Sequence, residues 1–195
     1  GSISELHPLS IGVIGARGST EFSNSFLKDA DLVFFVGSST DSVGTNGGQL
    51  PKTSPDTRLI HLNISEKELG NTFGDAILLQ GDVKSTLQAI LEAADRLGLT
   101  SGGKQEDAVK QKRAVVRTEF CEGTPLDPRT ATNRITAAMP PDSVIVADPG
   151  MSAVYPAAFY KLPKAGRFFV CNFSMGALGY GLPAALGASF ALPED

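Results

Sequence analysis

Val146-Ala-Asp-Pro-Gly150 and Ser174-Met-Gly-Ala-Leu-Gly-Tyr-Gly-Leu-Pro183 decide how this chain folds. Each follows a short, β-rich apolar run, Ser143-Val-Ile-Val-Ala147 in the first case and Arg167-Phe-Phe-Val-Cys171 in the second. Each also leads into a helical segment, 152–160 and 179–192, so the pattern is strand, loop, helix, strand, loop, helix, which argues for parallel βαβ units. In open α/β sheets ligands gather beyond the carboxyl ends of the strands, where helix N-termini favour anions. Asp148-Pro149-Gly150 is therefore a candidate ligand loop, although taken alone it is better explained as a plain strand-to-helix turn. The second stretch is more specific. Gly176, Gly179 and Gly181 let the backbone come close to a flat ligand, with Leu178 between the first two. Tight helix-on-sheet packing accounts for Ala184, Ala185, Gly187 and Ala188 but not for glycines clustered ahead of Pro183. That proline is tolerable only in a first turn, so the helix starts near 180–182.

Upstream, the same alternation recurs. A helix is predicted over 19–29, with Phe22, Phe26 and Leu27 on one face. Asp31-Leu-Val-Phe-Phe-Val-Gly37 reads as a strand buried on both faces. Residues 38–55 form a long polar, glycine-rich loop. Strands follow at 57–63 and 76–79, and Asp82 caps a helix whose Val83, Leu87, Ile90, Leu91, Ala94 and Leu97 recur at helical spacing before Gly98 closes it. Residues 99–107 are small and polar and read as a linker. A charged helix is expected over 108–120, a turn over 125–128 and a helix over 129–139. The division is thus a first domain over 1–98, a linker over 99–107 and a second domain over 108–195.

Composition limits the rest. Hydrophobic residues make up 42% and charged residues 19% of the 195, so an ordered core is expected. A net charge of −4 with scattered basic residues argues against a nucleic-acid partner. No apolar run approaches membrane-spanning length. Gly1-Ser2 without Met reads as an internal or artificial start, without a signal peptide, and a cytoplasmic location is the default. Cys121 and Cys171 support neither a zinc site nor a disulfide framework. His7 and His61 read as surface or satisfied strand residues. Gly12, Gly15 and Gly18 are spaced G-x-x-G-x-x-G, a weak dinucleotide fingerprint, and structural loop glycines are the better explanation. A second candidate set for a nucleotide is Gly15, Arg17, Gly18, Gly37 and Asn63. Asn63 stands where an acid would bind a ribose.

Taken in order, Gly15-Ala-Arg-Gly-Ser19, Asp29-Ala-Asp-Leu32, Val36-Gly37, Ile60-His-Leu-Asn63, Gly81-Asp82, Asp148-Pro-Gly150 and the run from Phe173 to Ala188 resemble the thiamine-diphosphate-dependent enzymes of the acetolactate synthase type. The resemblance implies a three-layer α/β protein, with a parallel-sheet, Rossmann-like central domain lacking its first strand and helix. A partial diphosphate-binding unit follows it. It implies that Gly150, Met151 and Ser152 contact the cofactor diphosphate, where many relatives carry Gln and His at the latter two positions. It further implies that Gly176, Ala177 and Leu178 grip the aminopyrimidine, with Leu178 as the apolar wedge that bends the cofactor. The Gly-Asp-Gly…Asn element for Mg²⁺ is expected shortly after Glu194, and the activating glutamate in another domain. No catalytic residue and no metal ligand is therefore expected in this chain, which by itself should neither bind the cofactor tightly nor catalyse. Central domains of the family bind FAD in some members, ADP in others and nothing in the rest. Ser38-Ser-Thr-Asp-Ser42 and Asn63 depart from the FAD pattern, which argues against flavin.

The implied parent is a transferase or lyase acting on 2-oxo acids, by carboligation or decarboxylation, as a homo-oligomer. Two other classes remain: a nucleotide-binding module without catalysis, and a structural or oligomerisation module whose sheet edges pair with another subunit.

Overall fold

A computed structural model describes residues 2–100, 107, 109–110 and 123–191. Most of the helix expected over 108–120, most of the linker, Cys121 and Glu194 lie outside the described residues. The described residues fall into two compact units, one drawn from 14–17 and 21–108, the other from 1–13, 18–20 and 109–195.

The first unit contains α1 (Glu21–Lys28), β1 (Leu32–Val36), β2 (Arg58–Asn63), β3 (Ile77–Gln80) and α2 (Val83–Arg96). Its three strands form a parallel sheet in the order β1-β2-β3, with Phe34 opposite Ile60 and Ile60 opposite Ile77. Parallel pairing needs a crossover between successive strands, which here is the 38–57 loop and then 64–76. Leu27 of α1 meets Val33, Phe35, Leu59, Leu50, Phe73 and Ala76 in one buried cluster, packed by Ile14 and Ala30. The Phe35 and Phe73 rings stack at 5.5 Å. β2, the middle strand, is the most deeply covered, and Leu62 is fully buried.

β1 departs from the expectation of burial on both faces. Val33 and Phe35 face the cluster, whereas Leu32 is 53% and Val36 39% exposed. Successive side chains of a strand point to opposite faces, and only one face of β1 meets α1 and the 50–73 segment.

Asp82 caps α2 as the sequence predicts, its carboxylate accepting from the Ser85 amide at 3.0 Å. At the far end Gly98 takes φ +64°, the Gly98 amide donates to the Asp95 carbonyl and the Leu99 amide to the Ala94 carbonyl. This paired closure needs a left-handed residue after the last turn. The apolar stripe of α2 is only partly covered among the described residues: Val83, Leu87 and Ala94 are half-buried, whereas Ile90, Leu91 and Leu97 are exposed.

The second unit contains α3 (Pro128–Ala138), β4 (Ile145–Ala147), α4 (Met151–Phe159), β5 (Phe169–Cys171) and α5 (Gly181–Ser189). β4 and β5 pair in parallel, Ile145 opposite Phe169 and Ala147 opposite Cys171. Both units are therefore parallel sheets with flanking helices, an α/β architecture. Among the described residues no helix is long and apolar enough to cross a membrane.

Candidate functional site

Parallel pairing of β4 with β5 brings two carboxyl ends side by side, and each opens a loop. After β4, Gly150 sits at φ +105° as the N-cap of α4, with no side-chain cap. Its carbonyl accepts from the Ala153 and Val154 amides at 3.1 and 3.0 Å. The first amides of a helix have no intrahelical partner, so Met151 and Ser152 stand at a donor-rich end. The Ser152 hydroxyl instead donates to the Asp148 carbonyl at 2.8 Å.

After β5, Asn172 starts the second loop. Its carbonyl accepts from the Gly176 amide at 3.0 Å, and its side-chain oxygen accepts from the Met175 amide at 3.2 Å. Gly176 and Gly179 have φ of +62° and +82°, and a Cβ added at either would meet no atom within 4 Å. These glycines serve backbone shape and an open surface, not tight packing against a sheet. Between them Leu178 is 81% exposed. Pro183 lies in the first turn of α5, where its missing N–H breaks no bond.

The Asp148 carboxylate ties the two loops together. It accepts from the Gly179 amide at 2.9 Å and from the Gly181 amide. The Gly181 amide first, and then that of Gly179, hold this carboxyl below the usual carboxylate range. Cys171, a free thiol at the end of β5, is pushed up by burial and then by the nearby Asp148 charge. In the sequence Asp148 stands out only as part of the Asp-Pro-Gly loop, and Asn172 does not stand out. The available signal was an acid at the carboxyl end of a strand, one residue before Pro-Gly.

A cleft of about 390 Å³ runs between α3 and α4, bordered by Pro128, Thr132, Ile135, Met151, Ser152 and Tyr155. Met151 and Ser152 thus border open space. Among the described residues no group of three or more His, Cys, Asp and Glu side chains is placed to hold a metal ion.

The second candidate set draws residues from both units. An added Cβ on Gly15, at φ +108°, would lie 2.3 Å from the Val43 carbonyl oxygen, and the Asn24 side-chain amide clasps the Gly15 N–H and C=O at 2.9 Å each. Gly18 packs in the other unit, where its Cβ would lie 2.8 Å from that of Ala157. Arg17 is exposed. Gly37 extends the β1–β2 ladder by donating to the Leu62 carbonyl at 2.8 Å. Asn63 is engaged at both ends of its amide, donating to the Ser38 carbonyl at 3.0 Å and accepting from the Ser65 amide at 2.9 Å. His61 is a satisfied strand residue, its ring nitrogens meeting the Ser38 carbonyl at 2.8 Å and the Gly70 amide at 3.2 Å.

Residues 1–90 match the family model described as thiamine pyrophosphate enzyme, central domain, and residues 148–195 match the one described as thiamine pyrophosphate enzyme, C-terminal TPP binding domain. The chain belongs to the thiamine pyrophosphate enzyme family. Within it, the chain is similar to acetolactate synthases along its whole length. It is 26% identical over 194 residues to the acetolactate synthase isozyme 1 large subunit of Escherichia coli (strain K12), covering 100% of this chain and 34% of that protein. To acetolactate synthase 3, chloroplastic, of Brassica napus it is 29% identical over 190 residues, covering 95% and 28%. To the acetolactate synthase of Mycobacterium leprae (strain TN) it is 26% identical over 200 residues, covering 100% and 31%. The chain spans about a third of the length of the curated relatives it matches.

Proposed function

We propose that this chain supplies the diphosphate- and pyrimidine-gripping loops of a thiamine-diphosphate-dependent enzyme that ligates or decarboxylates 2-oxo acids, in the manner of acetolactate synthase. The observation that carries the reading is Leu178. An exposed aliphatic side chain between two left-handed glycines, at the carboxyl end of a parallel strand pair, offers apolar support to a ligand lying over the loop. The open space around Gly150, Gly176 and Gly179 fits a cofactor approaching the backbone, because among the described residues no atom lies within 4 Å of an added Cβ there.

When bound, thiamine diphosphate supplies a nucleophilic thiazolium carbon, and the protein supplies geometry. In this reading the amides of Met151 and Ser152 receive the diphosphate, as helix N-termini do. Gly176 and Ala177 present backbone to the aminopyrimidine and Leu178 supports the bend. Mg²⁺ would balance the diphosphate charge with oxygen ligands contributed outside the described residues. The parent would act as a cytoplasmic homo-oligomer on a small 2-oxo acid, without flavin, and residues 1–195 alone would lack activity.

Calorimetric titration tests this. The full native protein should bind thiamine diphosphate in the presence of Mg²⁺, with Leu178→Ala weakening binding about tenfold or more. Residues 1–195 alone should show no micromolar binding. An unchanged affinity in Leu178→Ala rejects the wedge. Tight binding by residues 1–195 rejects the need for outside groups, and flavin absorbance in the purified protein rejects the flavin-free reading. A structural module remains the second reading, favoured by the exposed Leu182 and Leu186 on one face of α5 and Phe190 at its C-cap. Thermal stabilisation by thiamine diphosphate with Mg²⁺ argues against it.

A further inference from the structure

α5 begins without a cap of its own. Tyr180 occupies the N-cap position in a helical conformation and makes no side-chain capping bond. The unsatisfied amides at such an end attract an anion. Here the anion comes from far along the chain, for the Asp148 carboxylate receives both the Gly179 and the Gly181 amides across 31 and 33 residues of sequence. Gly181 carries an independent mark of this arrangement. It is not among the left-handed glycines, yet a Cβ there would lie 3.1 Å from an Asp148 carboxylate oxygen and 3.3 Å from the Asp148 nitrogen. Glycine at 181 is explained by the close approach of Asp148 rather than by backbone conformation.

We infer that Asp148 is a positioning residue, standing in as the cap of α5 and thereby holding the Gly176–Gly181 loop in the shape that presents Leu178. The loop is pinned at its start by Asn172, which accepts from the Met175 and Gly176 amides, and at its end by Asp148. Leu178 lies between the pins, one residue before the Gly179 amide that Asp148 receives. Removing the second pin frees the half of the loop that carries the side chain while leaving β4 and β5 paired through their own ladder. The depressed carboxyl agrees with this, because the two amides favour the charged form. The consequence for cofactor binding rests on the thiamine-diphosphate reading given above; the tether itself does not.

The test is amide hydrogen exchange on the full native protein without cofactor, followed by calorimetric titration with thiamine diphosphate and Mg²⁺. Asp148→Ala removes both acceptors, and Asp148→Asn keeps one acceptor oxygen without the charge. Gly181→Ala keeps the carboxylate but crowds it. Asp148→Ala should speed exchange over residues 175–181 about tenfold, with smaller effects in the other two, while residues 14–100 exchange as before. The dissociation constant should rise about tenfold with an unchanged number of sites. Unchanged exchange at 175–181 overturns the tether. Faster exchange spread evenly over β4, β5 and α5 overturns a role confined to the loop, and a local rise with unaltered affinity overturns the positioning role. A wild-type protein that does not bind thiamine diphosphate removes the cofactor reading, and the tether is then decided by the exchange result alone.

Discussion

Glycines in this chain do two different jobs, and substitution separates them. At Gly15 an added methyl would run into the Val43 carbonyl at 2.3 Å while φ stays at +108°. At Gly179 the same methyl meets open space, and only the left-handed φ of +82° resists it. Gly15→Ala should therefore destabilise by about 2–4 kcal/mol and Gly179→Ala by about 1–2 kcal/mol. Chemical denaturation of the two variants checks this, and equal losses would refute the contrast. Their sequence contexts resemble each other, each glycine lying in a glycine-rich loop, so the difference was not legible before the 43–44 segment was placed. Asn63 makes a similar point. It stands at a strand end where an acid would bind a ribose, and only the fold shows that its amide joins the Ser38 carbonyl, 25 residues back, to the Ser65 amide.

At the scale of elements, the two ends of α2 and the start of α5 were legible in the sequence because their signals are local. Asp82 and Gly98 bound α2, and Pro183 marks the start of α5, each through neighbours within a few residues. Asp127 was not singled out. It caps α3 by accepting from the Arg129 amide at 2.8 Å, and the Arg129 guanidinium bonds the same carboxylate at 2.5–3.1 Å. The guanidinium bonds, then the amide, bring its carboxyl to about 2. Because the folded value lies below the unfolded one, the cap contributes fully above about pH 4 and its contribution fades as pH falls through about 2. Wild type should thus melt above Asp127→Asn at neutral pH, and the two should converge near pH 2. A gap that persists there would show that the charge is not what matters. The partial exposure of β1 belongs to this scale too. Its apolar run cannot reveal which face is covered, since that depends on where α1 and the 50–73 segment pack.

Across the whole molecule the unusual quantity is uncovered apolar surface. Ile77 and Leu78 on β3, Leu91 on α2 and Leu97 at its C-cap, and Leu182 and Leu186 on α5 with Phe190 at its C-cap are all exposed. Large exposed apolar patches mark interaction surfaces or aggregation hazards, so residues 1–195 should self-associate. Sedimentation should show mass rising with concentration, with added salt doing little to reverse it. A single monomeric species across the accessible range would contradict this. The family and the α/β class were legible at this scale because they follow from the order of strands, helices and glycine loops along the chain.

Local periodicity and turn chemistry thus determined, without coordinates, that parallel βα units end in glycine loops at 150 and 176–181. Strand and helix signals are carried by residues close in sequence, so they survive without knowledge of packing. Tertiary structure alone decided that Asp148 reaches more than thirty residues ahead to cap α5, that Gly15 is closed while Gly179 is open, and that Leu178 stands exposed. Those properties depend on the distance between segments far apart in the chain, and that distance is set only when the strands pair.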